Sequence, residues 1–166
     1  MAELTPQERL QPALLDRLID DEPDKKVEAR ERRIMTKAQL RAAVLRDLAW
    51  LFNATRPGGL DEYPQAARST LNYGLPAFSG QTASTLDVID MEASIRRAIL
   101  DFEPRVTPSS LQVETIVTEE QMNQHNVIAV QIRGQLWAQP VPLEMLLRTE
   151  VDLETGEVQI RDLGSA

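Results

Sequence analysis

The sequence predicts an α+β fold: N-terminal helices packed on a C-terminal, mainly antiparallel sheet, in a single two-layer domain. Apolar residues recur at helical spacing as far as Phe102, and from Leu111 onward they recur at every second position. The change falls at a proline, within Asp101-Phe102-Glu103-Pro104-Arg105. Proline has no N–H and disfavours helical geometry in the residue before it, so Glu103 is pushed toward an extended conformation. Two readings of the flanking charges stand side by side. In the first, Arg105 is part of a structural stop, meeting the negative end of the helix dipole or pairing with Glu103 or Asp101. In the second, the rigid charged pair is a docking point for another protein. Local chemistry alone favours the first, because most such pairs are structural.

Residues 1–34 read as an N-terminal amphipathic helix and a charged linker, set apart from an α+β domain over 35–166. Leu10, Leu14, Leu15, Leu18 and Ile19 lie at helical spacing, and Asp20-Asp21-Glu22-Pro23-Asp24 ends the segment. Such a helix packs back on its own domain or lies in a neighbour's groove, and nothing local chooses between them.

Thr36-Lys37-Ala38-Gln39 matches a capping box, and Met35 and Leu40 occupy the positions of a hydrophobic staple. Ala38, Ala42, Leu45, Leu48, Ala49 and Phe52 form the expected stripe, widened by Val44 and Leu51, and Asn53 to Gly59 stops the helix. Residues 64–71 read as a shorter helix. The loop Asn72-Tyr73-Gly74-Leu75-Pro76-Ala77-Phe78-Ser79-Gly80 is unusually apolar, which predicts packing on the domain or on a partner. Its glycines lack the lysine and Ser/Thr of a phosphate loop.

Ser84 or Thr85 is the expected cap of the next helix, with Asp87 and Asp90 near its positive end. Val88, Met91, Ile95, Ile99 and Phe102 make its core face, broadened by Ile89, Ala93 and Leu100, while Arg96 and Arg97 complement the dipole. Three strands then alternate: residues 111–117, residues 128–136 with Gly134 as an expected bulge, and residues 143–153. Glu154-Thr155-Gly156 turns into Val158 and Ile160 as a hairpin.

Composition excludes much. With no cysteine there are no disulfides and no thiolate chemistry, and no zinc cluster fits a chain with one histidine. His125 reads as a solvated turn residue. The net charge of −8 argues against nucleic acid. The basic run from Lys25 to Arg46 reads as a solvated helix or arm, or as a surface for an anionic partner. No signal peptide or membrane span is evident, which leaves the cytoplasm as the default location. No nucleophile elbow, dinucleotide fingerprint or nucleotide motif is present. A two-carboxylate glycosidase is compatible with the acid content. Its general acid would be Glu103, whose pKa the neighbouring Arg105 would lower rather than raise. The chain therefore reads as a non-enzyme with no cofactor and no metal.

Four stretches together resemble a known family. They are Leu14-Leu15-Asp16-Arg17-Leu18, Val44-Leu45-Arg46-Asp47-Leu48 with Leu51-Phe52-Asn53, Ser69-Thr70-Leu71-Asn72-Tyr73-Gly74-Leu75-Pro76, and Ile99-Leu100-Asp101-Phe102-Glu103-Pro104-Arg105. Over about residues 10–161 the chain resembles TssE, the baseplate subunit family of type VI secretion systems, related to the wedge protein of contractile phage tails. The resemblance implies a non-catalytic, cytoplasmic assembly subunit that joins TssF and TssG in a wedge near TssK and helps couple it to the sheath. It implies partner contacts at Glu103, Pro104 and Arg105 and at Asn72, Tyr73, Gly74, Leu75 and Pro76. The phage relative has been described as lysozyme-like, which keeps a peptidoglycan-cleaving glycosidase as the alternative.

Overall fold

The structure, a computed structural model, describes residues 12–18, 24, 35–58, 63–79, 87–116, 127–138 and 141–164. His125, Ser84 and Thr85, Val117 and most of the basic run before Lys37 lie outside the described residues. In chain order the elements are α1 (Leu14–Leu18), α2 (Lys37–Asn53), α3 (Pro64–Ala67), a 3₁₀ turn (Thr70–Asn72) and α4 (Val88–Phe102). A second 3₁₀ turn (Pro108–Ser110) leads into β1 (Gln112–Ile116), β2 (Val127–Leu136), β3 (Leu143–Asp152) and β4 (Val158–Asp162). The strands form one antiparallel four-stranded sheet in sequence order. The domain is therefore α+β, as the change of period predicts.

The rungs of the sheet explain its apolar face. Val113, Ile132 and Leu147 lie opposite one another across β1, β2 and β3, and Thr115, Val130, Thr149 and Ile160 make the next rung across all the strands. Val130, Ile132, Leu147 and Val151 are fully buried there, under Leu48, Leu51, Met91, Ile95 and Ile99 of the two long helices. The register runs through Gly134, which pairs with Met145, so the expected bulge is absent. A Cβ at position 134 would meet Met145 and Val106 at ordinary contact distances of 3.5 and 3.7 Å.

Helix α2 begins at the capping box: Thr36 Oγ1 accepts from the Gln39 N–H at 3.2 Å, and Gln39 Oε1 accepts from the Thr36 N–H at 2.9 Å. Its buried stripe is Leu40, Ala43, Val44, Leu48, Leu51 and Phe52, while Ala38 and Ala42 face solvent. The larger side chains win the interior because each removes more apolar surface from water. The 64–71 segment is a single helical turn followed by the 3₁₀ turn rather than one helix. Helix α4 is capped by Asp87, whose Oδ1 accepts from the N–H groups of Ile89 and Asp90. Ile89 and Ala93 are exposed and do not widen the core face. Arg96 lies before the last turn and donates to the Leu111 carbonyl instead of serving the helix dipole.

A helix accompanies each outer edge of the sheet. Helix α4 runs by β1, where Glu92 accepts from the Thr115 N–H at 2.6 Å. Helix α2 runs by β4, where Arg41 reaches Asp162 and the carbonyls of Gly164 and Glu144, and Asn53 bonds Val158. The Glu154-Thr155-Gly156 turn has the expected form: Asp152 Oδ1 accepts from the Glu154 and Thr155 N–H groups, and Gly156 takes φ of 78°.

Candidate docking cleft

The end of α4 determines the centre of the site. Glu103 terminates the helix with its N–H still bonded to the Ile99 carbonyl at 2.8 Å, and its side chain turns inward to 3% exposure. A buried carboxylate is costly unless paired and hydrogen-bonded. Arg105, two residues on across the rigid Pro104, supplies both. Its backbone N–H and its Nε donate to Glu103 Oε1 at 3.1 and 2.6 Å, and its Nη2 donates to Glu103 Oε2. Neither the helix dipole nor Asp101 is the partner of Arg105, since Asp101 pairs with Arg68 at 2.9 Å. The same turn is fastened to the sheet: the Trp137 N–H donates to the Arg105 carbonyl at 2.7 Å, and the Thr107 N–H donates to the Gln135 carbonyl at 2.8 Å.

Arg105 also donates to Asp47 on α2, and Asp47 accepts on its other oxygen from Arg46 Nε at 2.9 Å. Arg46 in turn pairs with Asp16 of α1. Asp16, Arg46, Asp47, Arg105 and Glu103 thus form a line of alternating charges linking α1, α2 and the end of α4. Burial opposes the charge on Arg105, but the carboxylates of Glu103 and Asp47 outweigh it and hold the guanidinium above its ordinary pKa. The hydrogen bond that Arg46 donates to Asp16 raises its own pKa likewise, against some desolvation.

Arg46, Asp47, Arg105 and Glu103 line an open cleft of about 270 Å³, together with Ala13, Leu15, Leu48, Trp50, Leu51, Tyr73 and Phe102. Tyr73 meets Phe102 edge-on with ring centroids 5.2 Å apart. Burial first, and then the charges of Asp47 and Glu103, push its phenol above the ordinary value. The Arg46 guanidinium lies 5.1 Å over the half-exposed Trp50 ring.

The expected site residues separate into two groups. Glu103, Arg105 and Tyr73 line the cleft, and Pro104 is exposed beside them. Asn72, Gly74 and Leu75 instead secure the loop. Asn72 is buried and donates to the Ala67 carbonyl at 2.9 Å, while Leu75 and Phe78 enter the core. The apolar loop therefore packs on its own domain. Gly74 has φ of 117°, and a Cβ there would lie 2.2 Å from the Ala54 carbonyl oxygen. That close approach lets the Leu75 N–H bond Ala54 O at 2.8 Å and the Arg56 N–H bond Leu75 O at 2.9 Å, joining the loop to the end of α2. Pro76 lines a second cleft of about 390 Å³ between this loop and the β3–β4 turn. Sequence reasoning about the site missed Asp47, Arg46, Asp16 and Trp50. Arg46-Asp47 and Asp16 stood in the family-like stretches, and their one signal was a charge bordering an apolar helical stripe.

Among the described residues no group of three or more His, Cys, Asp or Glu side chains is placed to hold a metal ion. No described helix is long and apolar enough to cross a membrane. The chain belongs to the family of baseplate wedge protein gp25, whose model matches residues 38–141, more than half of the sequence. No curated protein and no solved structure matches the chain.

Proposed function

We propose that this baseplate wedge protein is the TssE subunit of a type VI secretion baseplate. It is a non-catalytic, cytoplasmic piece that joins TssF and TssG near TssK and helps couple the wedge to the sheath. Its membership of the wedge family supports a structural baseplate role. The observation that carries the finer reading is the convergence of all four TssE-like stretches on one cleft. Leu15, Arg46 with Asp47, Tyr73, and Glu103 with Arg105 come from four distant parts of the chain and meet there. Their charges are already paired before a partner arrives, so docking orders little and desolvates no lone charge. The glycosidase alternative needs a carboxylic acid free to protonate a leaving group. Both oxygens of Glu103 are instead engaged by Arg105, which speaks for the assembly reading.

Because Glu103 is buried, charge reversal there tests folding before docking. The exposed Pro104 is the cleaner probe. Co-expression with TssF and TssG should give a ternary complex, and Pro104→Asp should reduce the co-purified subunits at least tenfold while the thermal melt stays cooperative. Arg105→Lys, which keeps a charge beside Glu103 but loses the fork, should weaken the complex as well. Normal co-purification by both folded variants would sink the docking role.

A further inference from the structure

Only one face of the sheet packs under the helices. Leu147, Thr149 and Val151 of β3 are buried on that side, so the alternate residues Leu146, Arg148 and Glu150 point to the outer face. The register carries this outer face onto β4, where Arg148 stands opposite Arg161 and Glu150 opposite Gln159. From Glu103 onward the arginines are Arg105, Arg133, Arg148 and Arg161, and all but Arg105 lie on this face. Two like charges directly opposite each other cost stability unless something answers them. Glu150 lies 3.4 Å from Arg148 Nε and 3.7 Å from Arg161 Nη2, close enough to attract both guanidiniums. It satisfies neither. The Arg148 Nε is buried and has no hydrogen-bond partner among the described residues, which leaves a charged donor unused. The Arg161 side chain is 65% exposed.

We propose that Arg148 and Arg161 form a receptor for a carboxylate, and that its occupant is an Asp- or Glu-bearing segment of a neighbouring protein. The charge around the pair selects an acid. On this face Arg148 has Gln131 and Arg161 opposite it, Leu146 and Glu150 beside it along β3, and Arg133 on the diagonal. Three arginines thus meet one glutamate. Glu114, Glu144 and Asp152 stand further out, and the Asp152 carboxylate is taken by the amides of its own turn. An incoming carboxylate would supply the hydrogen bonds that Glu150 does not make and balance the remaining positive charge. The next rung offers the same segment an apolar contact. Leu163, 49% exposed, donates its N–H to the Leu146 carbonyl at 2.8 Å, which sets both leucines beside the arginine pair. A nucleic acid would meet a net charge of −8 around so small a patch. A second copy docked face to face would set arginine against arginine. None of these residues lines the cleft of Glu103 and Arg105, so the site does not depend on which subunits fill that cleft.

The test is a titration of the full chain followed by nitrogen-15 spectra, which report each arginine Nε–H and each backbone amide. An acetylated Glu-Glu-Leu-Glu-Glu peptide at low salt should shift the Arg148 and Arg161 signals, and the shifts should fade as salt is raised. The Gln-Gln-Leu-Gln-Gln peptide should leave them in place. Arg148→Gln/Arg161→Gln should weaken the acidic peptide at least tenfold, read from the amides of β3 and β4. The same variant should keep or raise the melting temperature, because it removes a like-charge pair. If it does not fold, Arg161→Gln alone takes its place and should weaken the peptide at least threefold. Absence of a shift at Arg148 overturns the proposal, as does unchanged affinity of the folded variant. An equal shift at Arg97, exposed on α4, overturns it too, since it would mean diffuse attraction only. So does an equal response to inorganic phosphate, which would make this a phosphate site. Signals that move on dilution without any peptide would assign the face to a second copy and end the proposal as well.

Discussion

Asn53 and Val158 hold each other by two hydrogen bonds across 105 positions of chain. The Asn53 amide donates to the Val158 carbonyl at 2.9 Å, and its Oδ1 accepts from the Val158 N–H at 3.0 Å. One side chain thus does for the outer strand what another strand would do, at the point where α2 ends. Asn53→Ala leaves both backbone groups of Val158 without that partner, in a part-buried setting. It should cost about 1–3 kcal/mol in urea unfolding. Asn53→Asp should not restore stability, since a carboxylate accepts but cannot donate to the Val158 carbonyl. Equal stability of the alanine variant would show that water replaces the clasp.

Gly74→Ala should be among the most damaging single changes. It adds both an unfavourable positive φ and a clash with backbone at Ala54. The loop cannot keep its bonds to Ala54 and Arg56 and also make room. A loss of roughly 3 kcal/mol or more, or failure to accumulate as soluble protein, is expected. The equivalent change at Gly58, where a Cβ meets nothing within 4 Å, is the control and should be nearly silent.

Glu103 and Arg105 should show strong coupling. Removing the guanidinium strands a carboxylate that is 3% exposed, so Arg105→Met should destabilise by roughly 2–4 kcal/mol. Its remaining exposure keeps the cost below that of a fully interior pair. Glu103→Gln/Arg105→Met together should cost less than the sum of the two single changes, because no charge is left buried. A double-mutant cycle by chemical denaturation measures this. Additive losses would mean that the pair is not one unit.

Thr149 offers the opposite sign. It is fully buried on the core face of β3, and its hydroxyl has no hydrogen-bond partner among the described residues. Thr149→Val keeps the shape and removes an unsatisfied polar atom. The expected gain is about 1 kcal/mol, seen as a rise of a few degrees in melting temperature. A loss would reveal a hydroxyl partner.

Acid should loosen the β3–β4 turn first at Asp152. The N–H groups of Thr155 and Glu154 favour its ionised form and hold its pKa below the ordinary aspartate value. A group depressed in the folded state contributes stability above its unfolded pKa and loses that contribution as pH falls through the folded one. Stability of the unaltered chain should therefore decline as pH drops below about 4. Asp152→Asn should flatten that acid limb, leaving the neutral-pH value close to normal. An unchanged slope would move the effect to another carboxylate.

The layers of the fold were legible because periodicity reports burial directly. The stripe Val88, Met91, Ile95, Ile99 and the alternation of β3 needed no knowledge of partners. The rotation of the α2 stripe away from Ala38 and Ala42 was not legible, because alanine fits either face and only the tertiary neighbours choose. The bulge expected at Gly134 is absent for a similar reason: Gly134 pairs with Met145 in an unbroken register, and a register is set across the sheet rather than along the strand. At the site, the helix stop and the Glu103–Arg105 pair were visible as near neighbours in sequence. Asp47 was not, because its role arises only when α2 crosses the end of α4. The loop from Asn72 to Pro76 was recognised as special without its cause. Gly74 meets Ala54, twenty residues earlier, and no local pattern announces such a meeting.

The ties from α2 to the far side of the domain carry one more implication. Arg41 and Asn53 belong to the first long helix, yet they find their partners at Glu144, Val158, Asp162 and Gly164. During synthesis α2 leaves the ribosome well before β4 exists, and its apolar stripe must wait for a surface. The sheet, with every strand beside its predecessor in sequence, can assemble progressively, but α2 gains its ties to Val158, Asp162 and Gly164 only after β4 has been added. A ribosome that stalls before Val158 would release a chain whose first long helix lacks its ties to β4, a substrate for proteases rather than for assembly. Only full-length copies would then be able to enter a growing particle.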